Sequence, residues 1–201
     1  MQDRRASGRL AAMVTGSAPT KGRLLVATPP LEDANFDRTV IYVLEHHDDG
    51  AIGVVINRPS VEALDEPLDR WIELQSVPSS VFLGGPVEEN ALIALAKTPE
   101  PLDESGDYLS PVHGTIASAD LTADPALVAA EVTGVRVFRG YAGWGPGQLE
   151  AEIAQKAWLV IPATQEIVFH PDPSEGWNAA LSRKGVIYHI IAQTGFKPSM
   201  N

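Results

Sequence analysis

The stretch Thr39–Asn57, TVIYVLEHHDDGAIGVVIN, decides the fold. Its first part, Thr39–Glu45, is rich in β-branched residues with one aromatic, a composition that suits a strand. Ala51–Asn57 (AIGVVIN) has the same character and is stopped by Pro59. Between the two lies His47-Asp48-Asp49-Gly50, and an Asp-Gly pair tolerates the positive φ that a tight hairpin turn demands. The reading is an antiparallel hairpin turning at Asp49-Gly50. At its open end the register brings Asn35, Asp37 and Arg38 beside Asn57 and Arg58. Amides, a carboxylate and two guanidiniums therefore gather where strands terminate.

Working outward, Leu24–Thr28 reads as a buried strand closed by Pro29 and Pro30, and Val81–Leu83 as a short one entering Gly84-Gly85-Pro86. Ala91–Ala96 is its continuation or its return, Thr115–Ser118 is a further strand, and Trp158–Ile161 and Glu166–His170 are two more. Val135–Tyr141 alternates apolar and basic residues, which predicts a strand with one wet face. Leu64–Leu74 carries Leu64, Leu68, Trp71 and Ile72 at helical spacing. Pro125–Glu131 with Asp124 as N-cap, Gly147–Lys156, and Ser174–Arg183 with Ser174 as N-cap are the other expected helices. Thr98–Gly114, rich in Pro, Asp, Glu and Ser, reads as an exposed acidic loop, and Val186–Gln193 fits strand or helix. Strands outnumber helices and hairpins recur, so a mixed sheet in one α+β domain fits better than regular βαβ alternation.

Composition narrows the function. The 201 residues are 44% hydrophobic and 20% charged, the balance of a globular chain with a substantial core. The net charge of -11 has the wrong sign for a nucleic-acid face, which needs dense basic residues to displace phosphate counterions. No cysteine is present, which removes disulfides, thiolate metal sites and cysteine nucleophiles and suits a reducing, cytoplasmic setting. Arg4 and Arg5 precede the apolar Leu10–Val14, shorter than the roughly 7–15 residues of a secretory core. No apolar run reaches the roughly 18 residues of a membrane span. The expected organisation is a disordered leader over 1–21, one domain over 22–193 and a frayed tail over 194–201.

Familiar catalytic motifs are missing: there is no G-x-S-x-G, no GxxxxGK[ST] and no H-E-x-x-H. His46 and His47 are adjacent on a strand, so their side chains point to opposite faces and do not readily share a metal. No metal and no cofactor are expected. The Gly143–Gly147 turn resembles a phosphate cradle, but Pro146 removes a backbone donor and Glu150 and Glu152 occupy the positive end of the following helix. Trp144 reads there as a hydrophobic anchor. Candidate binding residues are Arg38, Asn57 and Arg58, whose guanidiniums suit carboxylates or phosphates, and Gly84 and Gly85, which let a backbone or a ligand approach closely. The competing reading of the arginines is a loop lock, salt-bridged to Asp37 and to acids such as Glu32 and Asp33.

Three stretches together carry a family likeness: Ala27–Pro59, FLGGPVEEN over Phe82–Asn90, and GYAGWGPGQLEAEIAQKAWLVIPA over Gly140–Ala163. In this order and spacing they resemble the AlgH/YqgE family of bacterial proteins. The resemblance implies a bent, bifurcated sheet folding toward a pseudo-barrel with flanking helices. It also implies a cytosolic protein named as a transcriptional regulator through a link to alginate production. It brings no catalytic residue set.

Three functions follow for test. The first is a regulatory domain meeting a protein partner through loops such as Gly84–Asn90 and Thr98–Gly114. The second is a small anionic-ligand binder or enzyme at the Arg38/Asn57/Arg58 cluster. The third is direct DNA binding, which would need a basic face built from Arg136, Arg139, Lys156, Arg183 and Lys184.

Overall fold

The computed structural model describes residues 20–28, 33–66 and 68–182. β1 (Arg23–Ala27) lies antiparallel beside β2 (Val40–His47), and β2 turns back into β3 (Gly50–Val55), giving the expected hairpin. Its turn is one residue earlier than the sequence suggested. His47 pairs with Gly50, so Asp48 and Asp49 make the turn. Gly50, at φ +139, is needed for a different reason: a Cβ there would lie 2.2 Å from the Trp144 carbonyl oxygen.

The remaining strands are β4 (Val81–Leu83), β5 (Val87–Lys97), β6 (Leu109–His113), β7 (Ile116–Ala119), β8 (Gly134–Trp144) and β9 (Trp158–Pro162). They join one sheet in the order β6-β7-β5-β8-β3-β2-β1-β9, every pair antiparallel, with β4 added parallel to β8. Helices α1 (Gln148–Ala154), α2 (Gln165–Val168) and α3 (Gly176–Ser182) complete the domain. The sheet curls into a half-barrel, so the chain is a single α+β domain of the expected class.

β8 is the spine of the curl. It pairs with β5 along most of one edge, and with β4 and then β3 along the other. In its first half Val135 and Val137 face one core cluster and Phe138 another; after Gly140 the parity resets, with Tyr141 on the Phe138 side and Ala142 and Trp144 in a third cluster. Gly140 sits at φ +69, which an L side chain adopts only under strain, so the bend is placed where a glycine permits it.

The curl defines three cores. Leu24, Tyr42, Val54, Phe82, Leu95 and Phe138 fill the concave side, closed by Ile167 and Val168 of α2 and Trp177 and Leu181 of α3. Leu149 of α1 covers the outer face of the β1–β3 half. Trp71 and Val128 cover the outer face of the other half.

Several local expectations are corrected. Leu64–Leu74 forms not an α-helix but a 3-10 turn over Asp69–Leu74, with buried Trp71 as its anchor. Pro125–Glu131 likewise shrinks to a 3-10 turn over Pro125–Leu127, although Asp124 does cap it through the Ala126 N–H at 3.0 Å. Glu166–His170 belongs to a helix, Gln165–Val168, rather than a strand; a short apolar run does not distinguish the two. Its Gln165 amide donates to the Thr98 and Thr115 carbonyls and ties the helix beneath the β5–β7 edge. The acidic loop ends in β6, where Pro111 is tolerated because this strand is an edge. The N-cap near residue 174 is Asp172, which accepts from the Ser174 N–H before α3 begins. The wet face assigned to β8 is wrong at Arg136, which is 1% exposed. The leader up to residue 19, Val186–Gln193 and the tail from 194 lie outside the described residues. No helix among the described residues is long and apolar enough to cross a membrane.

Candidate functional site

The open end of the hairpin gathers the residues that the register predicted. The Asn57 side chain is used at both ends: its Oδ1 accepts the Val40 N–H at 2.9 Å and its Nδ2 donates to the Arg38 carbonyl at 2.8 Å. Arg58 donates from one terminal nitrogen to the Asn35 carbonyl at 2.7 Å and from the other to the Asp37 carbonyl at 3.1 Å. Arg38 lies over the Trp177 ring, its guanidinium carbon 5.7 Å from the centroid, a cation–π distance. Neither arginine is ion-paired among the described residues. Among the described residues, the contacts of these side chains are thus carbonyl oxygens, a backbone N–H and an aromatic face, with Asp33 and Asp37 forming no ion pair to either arginine.

Gly84 and Gly85 lie where β4 ends against β8. The Gly84 N–H donates to the Arg139 carbonyl at 2.7 Å, and the Gly84 carbonyl accepts the Val55 N–H at 2.8 Å. A Cβ on Gly84 would meet the Gly140 oxygen at 2.2 Å, and one on Gly85 would meet the Tyr141 carbonyl carbon at 2.2 Å. Their first role is backbone-to-backbone packing at the bend.

Beside this crossing lies a groove of about 380 Å³, lined by Asn35, Arg58, Leu83, Gly85, Glu89, Asn90 and Arg139 among others. One wall is an extra-long bulge of β5: Val87 pairs with Tyr141 and Leu92 with Arg139, so the residues between them loop outward. Glu88 holds φ +44 at its start. Of the three non-glycine residues with positive φ among those described, Arg38 and Glu88 both flank this end of the molecule. Such conformations cost of order 1–3 kcal/mol each and concentrate at sites of function. A smaller hollow of about 250 Å³, lined by Asp37, Arg38, Asn57, Arg58, Ser174 and Trp177, adjoins on the far side of Arg58.

The sheet face that runs up to the groove, which Leu83 and Arg139 line, changes character along its length. Val81, Val137 and Ala94 form a row across β4, β8 and β5 and are buried. Two residues further along, Leu83, Arg139 and Leu92 form the next row on the same face, with the two leucines 45% and 42% exposed. Arg139 is ion-paired with Glu62. The sequence did not reveal this row, because the parallel β4–β8 pairing joins segments more than fifty residues apart with no turn to announce it.

The other singled-out residues have structural partners. His46 accepts the Thr20 N–H at Nδ1, 3.1 Å away, so its proton sits on Nε2, which faces Glu150 at 2.7 Å. A hydrogen bond from its own backbone N–H, and then His46, hold the Glu150 carboxyl below the usual range. Trp144 is 7% exposed and its indole N–H donates to Glu152 at 2.9 Å, as does that of Trp158 at 2.7 Å. Arg136 donates to the carbonyls of Val168, Val77 and His170 and stacks on Phe82 at 4.3 Å. Burial lowers its pKa to about 10, which leaves it cationic at neutral pH.

An AlgH-like family model matches residues 24–189. A UPF0301 protein of Streptomyces avermitilis is 41% identical over 182 residues, which is 90% of this chain and 94% of that one. One from Mycobacterium ulcerans is 43% identical over 181 residues, covering 90% of each. The crystal structure of protein DIP2367 from Corynebacterium diphtheriae superposes with a TM-score of 0.81 at 29% identity, covering 86% of this chain and 91% of that one. The solution structure of the AlgH protein from Pseudomonas aeruginosa gives 0.64 at 33% identity, covering 92% and 97%. With the family model spanning most of the sequence and relatives above 40% identity along nearly their whole length, the chain belongs to the AlgH-like family.

Proposed function

We propose that this protein is a regulator that acts by docking a protein partner in the groove at the hairpin's open end, and that it works by binding rather than by catalysis. The observation that carries the reading is the Leu83–Arg139–Leu92 row. It extends a buried face of the sheet into solvent and is walled by the Glu88–Ala91 bulge. Apolar anchors rimmed by hydrogen-bonding groups are the anatomy of a protein interface. The two guanidiniums lining the groove already have oxygen partners within the chain, Arg58 on carbonyls and Arg139 on Glu62, which weighs against a site built for a free anion. Direct DNA contact loses support as well: of the basic residues that could have formed a face, Arg136 is buried and Arg139 is ion-paired. A cysteine-free acidic chain suits the cytoplasm, where a regulator of transcription would meet its partner.

Photo-crosslinking tests this in the native host. A benzophenone side chain at Leu83 or Asn90 is expected to trap one discrete protein adduct, while the same group at exposed Ile72 or Val77 traps none of it. Arg139→Glu should reduce the adduct at least fivefold. Equal adducts at all four positions, or none at the groove, would contradict the proposal.

A further inference from the structure

The acidic loop ahead of β6 forms a second feature, which does not rest on the hairpin-end groove. Between residues 102–109 and the 3-10 turn at Pro125–Leu127 lies a slot of about 260 Å³. Its floor is Leu109 and Val128, both buried in the outer core of the β5–β8 half. Two of its lining residues are open to solvent, the aliphatic Leu127 at 53% and the aromatic Tyr108 at 37%. Around these stand Glu104, Asp107 and Glu131, all exposed.

Three facts define what the slot fits. First, none of these carboxylates has an ion pair among the described residues, and no lysine or arginine lines the slot, so the negative field is uncompensated. Second, among the described residues no three acidic or histidine side chains converge as metal ligands would, so the charges surround the slot rather than focus on one point. Third, the centre is apolar, and water over Leu127 and Tyr108 is released only by an apolar group. A lone cation satisfies the rim and not the centre; an anion or nucleic acid is repelled by the rim.

We propose that this slot docks a basic peptide segment of a partner, with one or two aliphatic side chains entering between Tyr108 and Leu127 and flanking lysines or arginines meeting Glu104, Asp107 and Glu131. The carboxylates supply steering and the apolar centre supplies specificity, the usual division of labour in charged interfaces.

The test is a fluorescence-anisotropy titration of the full chain with labelled KRLLRK, with KRSSRK and spermine as probes of charge without apolar content. KRLLRK is expected to bind saturably and at least tenfold more tightly than KRSSRK. Leu127→Ser, which leaves the charge unchanged, should cost about as much, and so should the pair Glu104→Gln and Asp107→Asn. The peptide exchange keeps the protein intact, so the comparison survives even a variant that fails to fold. Equal binding of KRLLRK and KRSSRK, full competition by spermine, or unchanged affinity in a folded Leu127→Ser protein would overturn the proposal, as would no saturable binding.

Discussion

Gly140→Ala is expected to cost about 2–5 kcal/mol, combining about 1–2 kcal/mol for a left-handed alanine with about 1–3 kcal/mol for overpacking. The argument lies in what the methyl group would meet. At φ +69 a Cβ would sit 2.3 Å from the Gly85 carbonyl oxygen and 3.2 Å from that of Val87. Both obstacles are backbone atoms of the neighbouring segment, and neither can rotate away. Relief requires the Gly84–Gly85 crossing to separate from β8, which also loosens the Gly84 N–H bond to Arg139. Gly114 is the control. It too has positive φ, at +55, but nothing lies within 4 Å of its would-be Cβ, so Gly114→Ala should cost only the conformational part, about 1–2 kcal/mol. Denaturant titration of both variants checks this: a midpoint loss for Gly140→Ala no larger than for Gly114→Ala would show that the close approach is absent.

Trp144→Ala should be comparably damaging, about 3–5 kcal/mol by large-to-small arithmetic. The ring is buried in the cluster that α1 closes with Leu149, and it stands edge-on to Trp158 at 6.1 Å. Its indole N–H and that of Trp158 meet on the Glu152 carboxylate, so the truncation removes packing and one of two donors to the same oxygen. Trp144→Phe separates the contributions: it retains most of the apolar volume and should lose only the charged hydrogen bond, about 1.5–3 kcal/mol. Thermal melts of the pair should therefore fall in the order wild type, Phe, Ala. Wild-type melting in Trp144→Ala would mean that the ring is not the anchor of the turn before α1, and a ligand or partner role would have to be considered.

These two sites mark the limits of what the residue order reveals. The hairpin was legible because β-branched runs flank a turn, and its register alone brought Arg38, Asn57 and Arg58 together. The partners of Arg58 were not legible. Carbonyl oxygens of Asn35 and Asp37 leave no trace in side-chain composition, so carboxylates looked like the natural partners for Arg58. Arg136 was read as wet because basic residues alternate with apolar ones along Val135–Tyr141; arginine is seldom buried without a carboxylate, and here three carbonyls and the Phe82 ring substitute for one. The parity change at Gly140 was hidden as well, since VRVFRGYAGW has a plausible alternation on either side of the glycine and no marker of the shift between them. The groove depends on that shift and on a parallel pairing between distant strands, both products of tertiary packing.

The central claim is that the polar hairpin end is a lock, leaving the adjoining groove to a protein partner instead of a small anion. Arg58→Ala should lower stability by about 1–3 kcal/mol, because the Asn35 and Asp37 carbonyls lose a charged donor. The direct test is the melting temperature of wild type and Arg58→Ala with rising phosphate. An anion bound at a hundred times its Kd adds about 2.7 kcal/mol, or roughly 5–10 °C for a domain of this size. The account predicts that phosphate moves both proteins equally, by its general effect on solvent alone. A rise of that size in wild type that is missing from Arg58→Ala would contradict it and make the hairpin end an anion site.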